Sequence, residues 1–281
     1  MRAVVVDESG RPRLAEVAEP QGEGSLVRVL ACGLCGSDVE KLTPEHAGTV
    51  LGHEVVALAA DGTRVVLLHH RPCGRCERCR AGHESTCEAF SAPTIRPGGF
   101  AERVRAVESV AVASHVSDAV ATYAEPLACV LRGAARVPAG RVLVVGHGFV
   151  GRLWEQVLQR RGDDVFALDL RPERSGPTPD GPVDAVVLCA PGGAATALEH
   201  VEPGGTILVF ANAGALPLDP VYRRELRVVG SRSATPRSLA DAVALLAELD
   251  LPAPTVLPLD RFDEGLELYR SGAALKVVFT P

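Results

Sequence analysis

The sequence predicts an α/β protein, with a doubly wound parallel sheet joined to a second, β-rich domain. Three observations carry this prediction. After about residue 118, strand-like and helix-like runs alternate, which is the signature of a parallel sheet with crossover helices. A glycine loop, Gly146-His147-Gly148-Phe149-Val150-Gly151, falls between one such strand and one such helix. The first 112 or so residues instead hold short β-rich segments punctuated by Gly and Pro. At 281 residues, 47% of them hydrophobic, the chain is long enough for two packed cores.

Taken in order, strands are expected at Arg2–Val6 and at 26–31, 54–59, 64–68 and 100–107. From 118 to 137 the chain is Ala-rich and helix-like, with a break expected at Glu125-Pro126. Val142-Leu143-Val144-Val145 has the continuous apolar character of a strand buried on both faces. A helix follows over Phe149–Arg161, then a strand over 165–169. Further strands are expected near 185–189 and 206–210, helices near Ala194–His200 and 239–249, and a closing strand at 275–279.

Composition excludes several classes of function. A net charge of −6 with 4% aromatic residues argues against a nucleic-acid surface, which needs basic stripes and stacking rings. No apolar run approaches the ~18 residues of a membrane span. An acid already at Asp7 interrupts any signal-peptide core, so a cytoplasmic protein is expected. Only two of the 29 basic residues, Lys41 and Lys276, are lysines, which reads as codon bias.

The glycine loop has the residues that dinucleotide binding requires. One glycine makes a tight turn, the next admits the pyrophosphate, and the third lets the helix pack closely. The helix N-terminus then offers free N–H groups to the phosphates. Asp169, 18 residues beyond Gly151, ends the next strand where an acid would hold ribose hydroxyls. Its charge opposes a 2′-phosphate and so favours NAD over NADP, although Arg171 and Arg174 lie close by. A glycine-rich turn without a ligand is the alternative, and the order strand, loop, helix, acid weighs against it.

Cys73, Cys76, Cys79 and Cys87 crowd into one polar, Arg-rich stretch, a density that suits a four-sulfur structural zinc shell better than unrelated buried thiols. A zinc ribbon gripping nucleic acid is the competing reading, opposed by the acidic balance. Cys35-Gly36-Ser37-Asp38, Gly52-His53-Glu54 and Glu125-Pro126-Leu127 are individually weak signals. Together they offer Cys, His and Glu ligands with one position open, as a catalytic zinc needs.

These motifs, in this order, resemble the zinc-containing medium-chain alcohol dehydrogenase family, in particular its sorbitol and threonine dehydrogenase branch. The segment Val221-Tyr222-Arg223-Arg224-Glu225-Leu226 followed by Gly230-Ser231 adds to the likeness. The resemblance implies a GroES-like catalytic domain built from both chain ends (1–115 and 250–281) around a Rossmann domain (116–249). It implies Cys35, His53 and Glu125 as ligands of a catalytic zinc, Glu54 as a neighbouring or transient ligand, and Ser37 as first proton acceptor. Two zinc ions per chain, NAD, a small alcohol substrate and a homodimer or homotetramer follow from the same likeness. Where the family has a relay histidine this chain has Glu40; an exposed Glu is a poor proton acceptor near neutral pH, so exit of the proton through water is the favoured route.

The chain is short for this family. Residues 171–183 carry four prolines and cannot hold a helix, so the six-stranded order 3-2-1-4-5-6 is expected to lose its first edge strand. The function expected is hydride transfer between NAD and a secondary alcohol of a polyol, sugar or amino alcohol. The alternatives are a dehydrogenase for a bulky or carrier-bound biosynthetic intermediate, and a non-catalytic zinc protein that binds NAD as a sensor or partner.

Overall fold

Strand pairing divides the chain into two principal sheets, seen in a computed structural model that describes residues 1–212 and 214–281. By contacts the chain forms two compact units. One comprises 1–128, 234–248 and 252–281; the other comprises 129–233 and 249–251.

In the first unit, the strands Thr255–Pro258, Val277–Thr280, Ser25–Gly33, Glu54–Leu58, Arg64–Leu67 and Ser109–Ala111 follow one another in space. Arg103–Ala106 also pairs with Ser25–Gly33 and carries the short strand Ile95–Arg96. Every pairing is antiparallel except that between Thr255–Pro258 and Val277–Thr280. Both chain ends therefore build one sheet. Its core gathers Val29, Val55, Leu67, Val104 and a ring cluster of Phe100, Phe262 and Phe279. Phe262 and Phe279 stack with centroids 4.4 Å apart, and Phe100 meets both edge-on. The hairpin of Arg2–Val6 and Pro12–Glu16 joins through isolated bridges at Ala3 and Val5.

Among the described residues the second unit holds five parallel strands, with Asp164–Leu168 at one edge, then Arg141–Val145, Val183–Leu188 and Val201–Val209, and Arg227–Gly230 at the other edge. This is the doubly wound order without its first strand, as expected. The proline-bearing segment takes the lost strand's place. Gly176 donates to the Ala167 carbonyl at 3.0 Å and Ala167 to that of Pro177 at 3.1 Å, so backbone bonds cover the open edge.

The helix-like stretch is broken next to Glu125-Pro126, as expected: Asp118–Ala121 ends and Ala124–Ala134 begins, with Pro126 in the first turn, where its missing N–H has no partner to lose. By contacts, residues 116–128 and 234–248 group with the β-rich unit; the helix Pro236–Leu245 packs on Ser109–Ala111, and its Leu239 and Ala242 are buried.

Candidate active site

The short helix Gly36–Glu40 begins at Cys35, its cap residue, and Asp38 folds back to accept the Cys35 N–H at 3.1 Å. The other oxygen of Asp38 accepts the Gly52 N–H at 3.1 Å and Nδ1 of His53 at 3.2 Å. Burial alone would raise the Asp38 carboxyl. The charge and hydrogen bond of His53, with the two peptide N–H groups, instead hold it below the usual carboxylate range. The same pairing outweighs burial at His53 and lifts its imidazole well above the ordinary value.

His53 is thereby oriented with Nδ1 tied to a carboxylate, the arrangement that leaves Nε2 for a metal. Ligating atoms of Cys35, His53 and Glu54 all lie within 4.8 Å of one another. Glu125 is not part of this set. It is buried in the first turn of Ala124–Ala134, whereas Glu54 is carried in by its neighbour His53 at the start of a core strand. Of the two glutamates that the sequence offered, Glu54, expected as the neighbouring or transient ligand, is the one that lies in this group.

Glu54 is held from behind. Strand register sets Glu54 opposite Gly33, and its Oε2 pairs with Nζ of Lys276. Both side chains are fully buried. A Cβ at Gly33 would stand 2.0 Å from Oε2 and 3.1 Å from Lys276 Cε, so the ion pair exists only because residue 33 lacks one. Lys276 also donates to the Leu34 carbonyl at 3.0 Å. Ser37 Oγ lies 3.5 Å from Cys35 Sγ, while Glu40 is exposed. The hydroxyl of Tyr269 sits 3.0 Å from where a Gly36 Cβ would be, and burial beside Cys35 and Glu54 pushes it up to about 12.

A ladder of rings extends from His53. The His53 and His69 centroids are 5.1 Å apart, His69 and His70 3.9 Å, and His70 and Phe90 4.9 Å. Burial, with the nearby His53, His70 and Lys41, lowers His69 to about 2, so its ring is neutral.

Phe90 follows the four-cysteine lobe directly, and the four sulfurs form the second group within 4.8 Å. Sγ of Cys76 is 3.4 Å from that of Cys79, which lies 3.9 Å from that of Cys73. A tetrahedral zinc with bonds of about 2.3 Å would hold sulfurs roughly 3.8 Å apart. The N–H groups of Cys73 and Cys76 point at the sulfurs of Cys87 and Cys73, each at 3.4 Å. Peptide N–H groups of Arg75 and Cys76 draw the Cys73 thiol down to about 6.

In the second unit the glycine loop divides its work by position. Gly146 has φ +96°, and a Cβ there would meet Ala190 at 2.5 Å. Gly148 caps Phe149–Arg161 and faces open space, and a Cβ at Gly151 would strike the Gly146 carbonyl at 2.2 Å. Asp169 accepts the N–H groups of His147 at 2.8 Å and Arg171 at 2.9 Å. The His147 ring turns inward, donating from Nδ1 to the Arg174 carbonyl at 2.6 Å and pairing through Nε2 with Glu155 at 3.0 Å. His147 thus ties the proline-bearing segment to the helix. Val150 lies in that helix, and Phe149 is buried at its start.

A Cys-His-Glu cluster on a curled antiparallel sheet, in a chain that also carries a five-stranded parallel unit with a GxGxxG loop, defines the medium-chain dehydrogenase class. The description "Alcohol dehydrogenase GroES-like domain" matches residues 21–118. D-altritol 5-dehydrogenase of Agrobacterium fabrum is 32% identical over 302 aligned positions, covering 88% of each chain. Sorbitol dehydrogenase of Halalkalibacterium halodurans is 27% identical over 341 positions, covering 100% of this chain and 99% of its own. The acetophenone reductase of Geotrichum candidum, solved with NAD, superposes with a TM-score of 0.86 at 21% identity, covering 100% of this chain and 97% of its own. The chain belongs to the zinc-containing medium-chain alcohol dehydrogenase family.

Sequence reasoning assigned no part to Asp38, Lys276, Tyr269 or His69. Lys276 had a signal, being one of two lysines in an arginine-rich chain. His69 had only the pair His69-His70 ahead of the first lobe cysteine.

Proposed function

We propose that this chain is a zinc- and NAD-dependent dehydrogenase that oxidises a secondary alcohol of a polyol, sugar or amino alcohol. The observation that carries the reading is the cluster of Cys35, His53 and Glu54, with Asp38 behind the histidine and Lys276 behind the carboxylate. Thiolate, imidazole and carboxylate suit zinc, and three donors leave a fourth position for substrate. The polyol-oxidising names of the two relatives support the substrate class.

Bound zinc would make a coordinated hydroxyl acidic, and the nicotinamide would accept the hydride. The chain's own residues do the rest. Asp38 keeps the His53 proton on Nδ1 and fixes the ring plane. Lys276 takes one Glu54 oxygen and leaves the other to the cluster. Ser37 Oγ, beside Cys35, takes up the substrate proton and passes it to water. The N–H groups opening Phe149–Arg161 hold the pyrophosphate across the open face of Gly148. Asp169, already oriented by two N–H groups, accepts from the ribose hydroxyls and disfavours a 2′-phosphate, with Arg171 beside it. The four cysteines hold a second, structural zinc. The protein acts as a homodimer or homotetramer, with the exposed edge strand Arg227–Gly230 near the interface.

The test combines metal analysis with a polyol panel assayed with NAD and NADP. Two zinc ions per chain and NAD reduction by polyols are expected. One ion or none, or no reduction with any polyol, would overturn the reading and return the chain to a non-catalytic, NAD-binding role.

A further inference from the structure

His69 is a polar ring next to the metal cluster that no step above uses. Its position is tightly set. Its carbonyl accepts the Thr94 N–H at 3.0 Å, and its ring lies between His53 and His70, with His70 backed by Phe90. The ring is only partly buried, yet Nδ1 is sealed from solvent with no hydrogen-bond partner among the described residues. Nε2 is not sealed, and it also has no partner there.

An imidazole carries at least one proton, on one nitrogen or the other. An N–H shut away without an acceptor is costlier than a bare lone pair in the same place, and such donors are rare in folded proteins. The proton therefore sits on Nε2. The accessible edge of the ring presents a fixed donor, one residue-width from the ring of His53.

We propose that His69 is a specificity-determining residue whose Nε2–H donates to a substrate hydroxyl adjacent to the carbon being oxidised, so that the site selects polyhydroxylated over monohydric alcohols. The proposal rests on the dehydrogenase reading above. A vicinal diol satisfies both the cluster and the donor. A simple secondary alcohol strips water from Nε2–H and offers nothing in exchange, and sites built to bond a hydroxyl reject analogues that lack it.

The test uses the zinc-loaded protein and compares sorbitol with 2-butanol in wild type, His69→Phe and His69→Gln. His69→Phe is expected to lower kcat/KM for sorbitol by roughly 10- to 100-fold, chiefly through KM, while leaving 2-butanol unchanged or improved. His69→Gln, which keeps a donor, should recover part of the loss. A second readout needs no turnover. With histidines labelled with 15N and NADH bound, sorbitol should shift the His69 Nε2 resonance and 2-butanol should not.

Equal losses on both alcohols would make His69 a packing residue, and an unchanged sorbitol KM with no 15N shift would show that it does not meet the substrate. Either result overturns the proposal. If wild type oxidises no alcohol yet sorbitol still shifts the Nε2 resonance, the recognition stands and the dehydrogenase reading falls. If wild type turns sorbitol over and the resonance stays fixed, the reverse holds.

Discussion

The two clusters of ligating side chains are held in opposite ways. The four cysteines come from one 15-residue stretch whose only regular structure is the four-residue helix Glu77–Arg80 and the 3-10 turn Glu84–Thr86, and Cys73 is exposed. That lobe has no core of its own to fix its shape. Cys35 caps a short helix just after the core strand Ser25–Gly33, and His53 and Glu54 stand at the start of Glu54–Leu58, with buried Asp38 behind the histidine and buried Lys276 behind Glu54. On the proposed reading the first cluster would take its shape from its ion, whereas the second is built by the protein itself. Metal binding would then be folding free energy in the first case and chemistry in the second.

The sharpest way to break this contrast is to remove Lys276. Lys276→Met strands the Glu54 carboxylate in the core and is expected to cost about 3–5 kcal/mol, read by denaturant unfolding. Lys276→Met with Glu54→Gln should recover most of it. Parent-like stability of the single variant would mean that the cluster is not pre-built.

Chelation is the next largest effect. Stripping both ions should raise amide exchange across 72–90 by roughly tenfold or more, with Ser25–Gly33 and Glu54–Leu58 still protected. Cys76→Ser should reproduce the local loss and lower folding yield. Uniform loosening of both regions would erase the distinction.

A third comparison sharpens the ligand set. Glu54→Gln should reduce the count from two zinc ions to one, and Glu125→Ala should retain both. The opposite pattern would make Glu125 the ligand. The smallest effect is expected at the exposed Glu40. Glu40→Gln should leave the pH profile of turnover within about twofold of wild type, the outcome expected when protons leave through water. A tenfold loss rescued at high pH would assign Glu40 a relay role.

Much of the fold was legible because its signals are local. The helix Phe149–Arg161 and the helix Ala194–His200 fall where the apolar periodicity puts them. Four prolines announced the missing strand, since proline denies both a helix and a central ladder. Pro126 marked the break between Asp118–Ala121 and Ala124–Ala134, but only the start at Ala124 shows that the proline opens the second helix and does not end the first. The helix Pro236–Leu245 looked like part of an alternating α/β run, and its periodicity could not say which sheet its apolar face would cover.

The sequence by itself determined the classes of chemistry, since Cys-x-x-Cys spacing, His-Glu adjacency and GxGxxG each depend on residues a few positions apart. Tertiary structure alone decided which distant groups complete them. Lys276 reaches Glu54 because the final strand pairs beside Ser25–Gly33 and because Gly33 leaves a gap of one methyl group. His69 meets His53 because Glu54–Leu58 and Arg64–Leu67 lie side by side, so that residues 16 apart in sequence share one end of the sheet. Register and the absence of a Cβ are properties of pairs of strands, and no single stretch of sequence carries them.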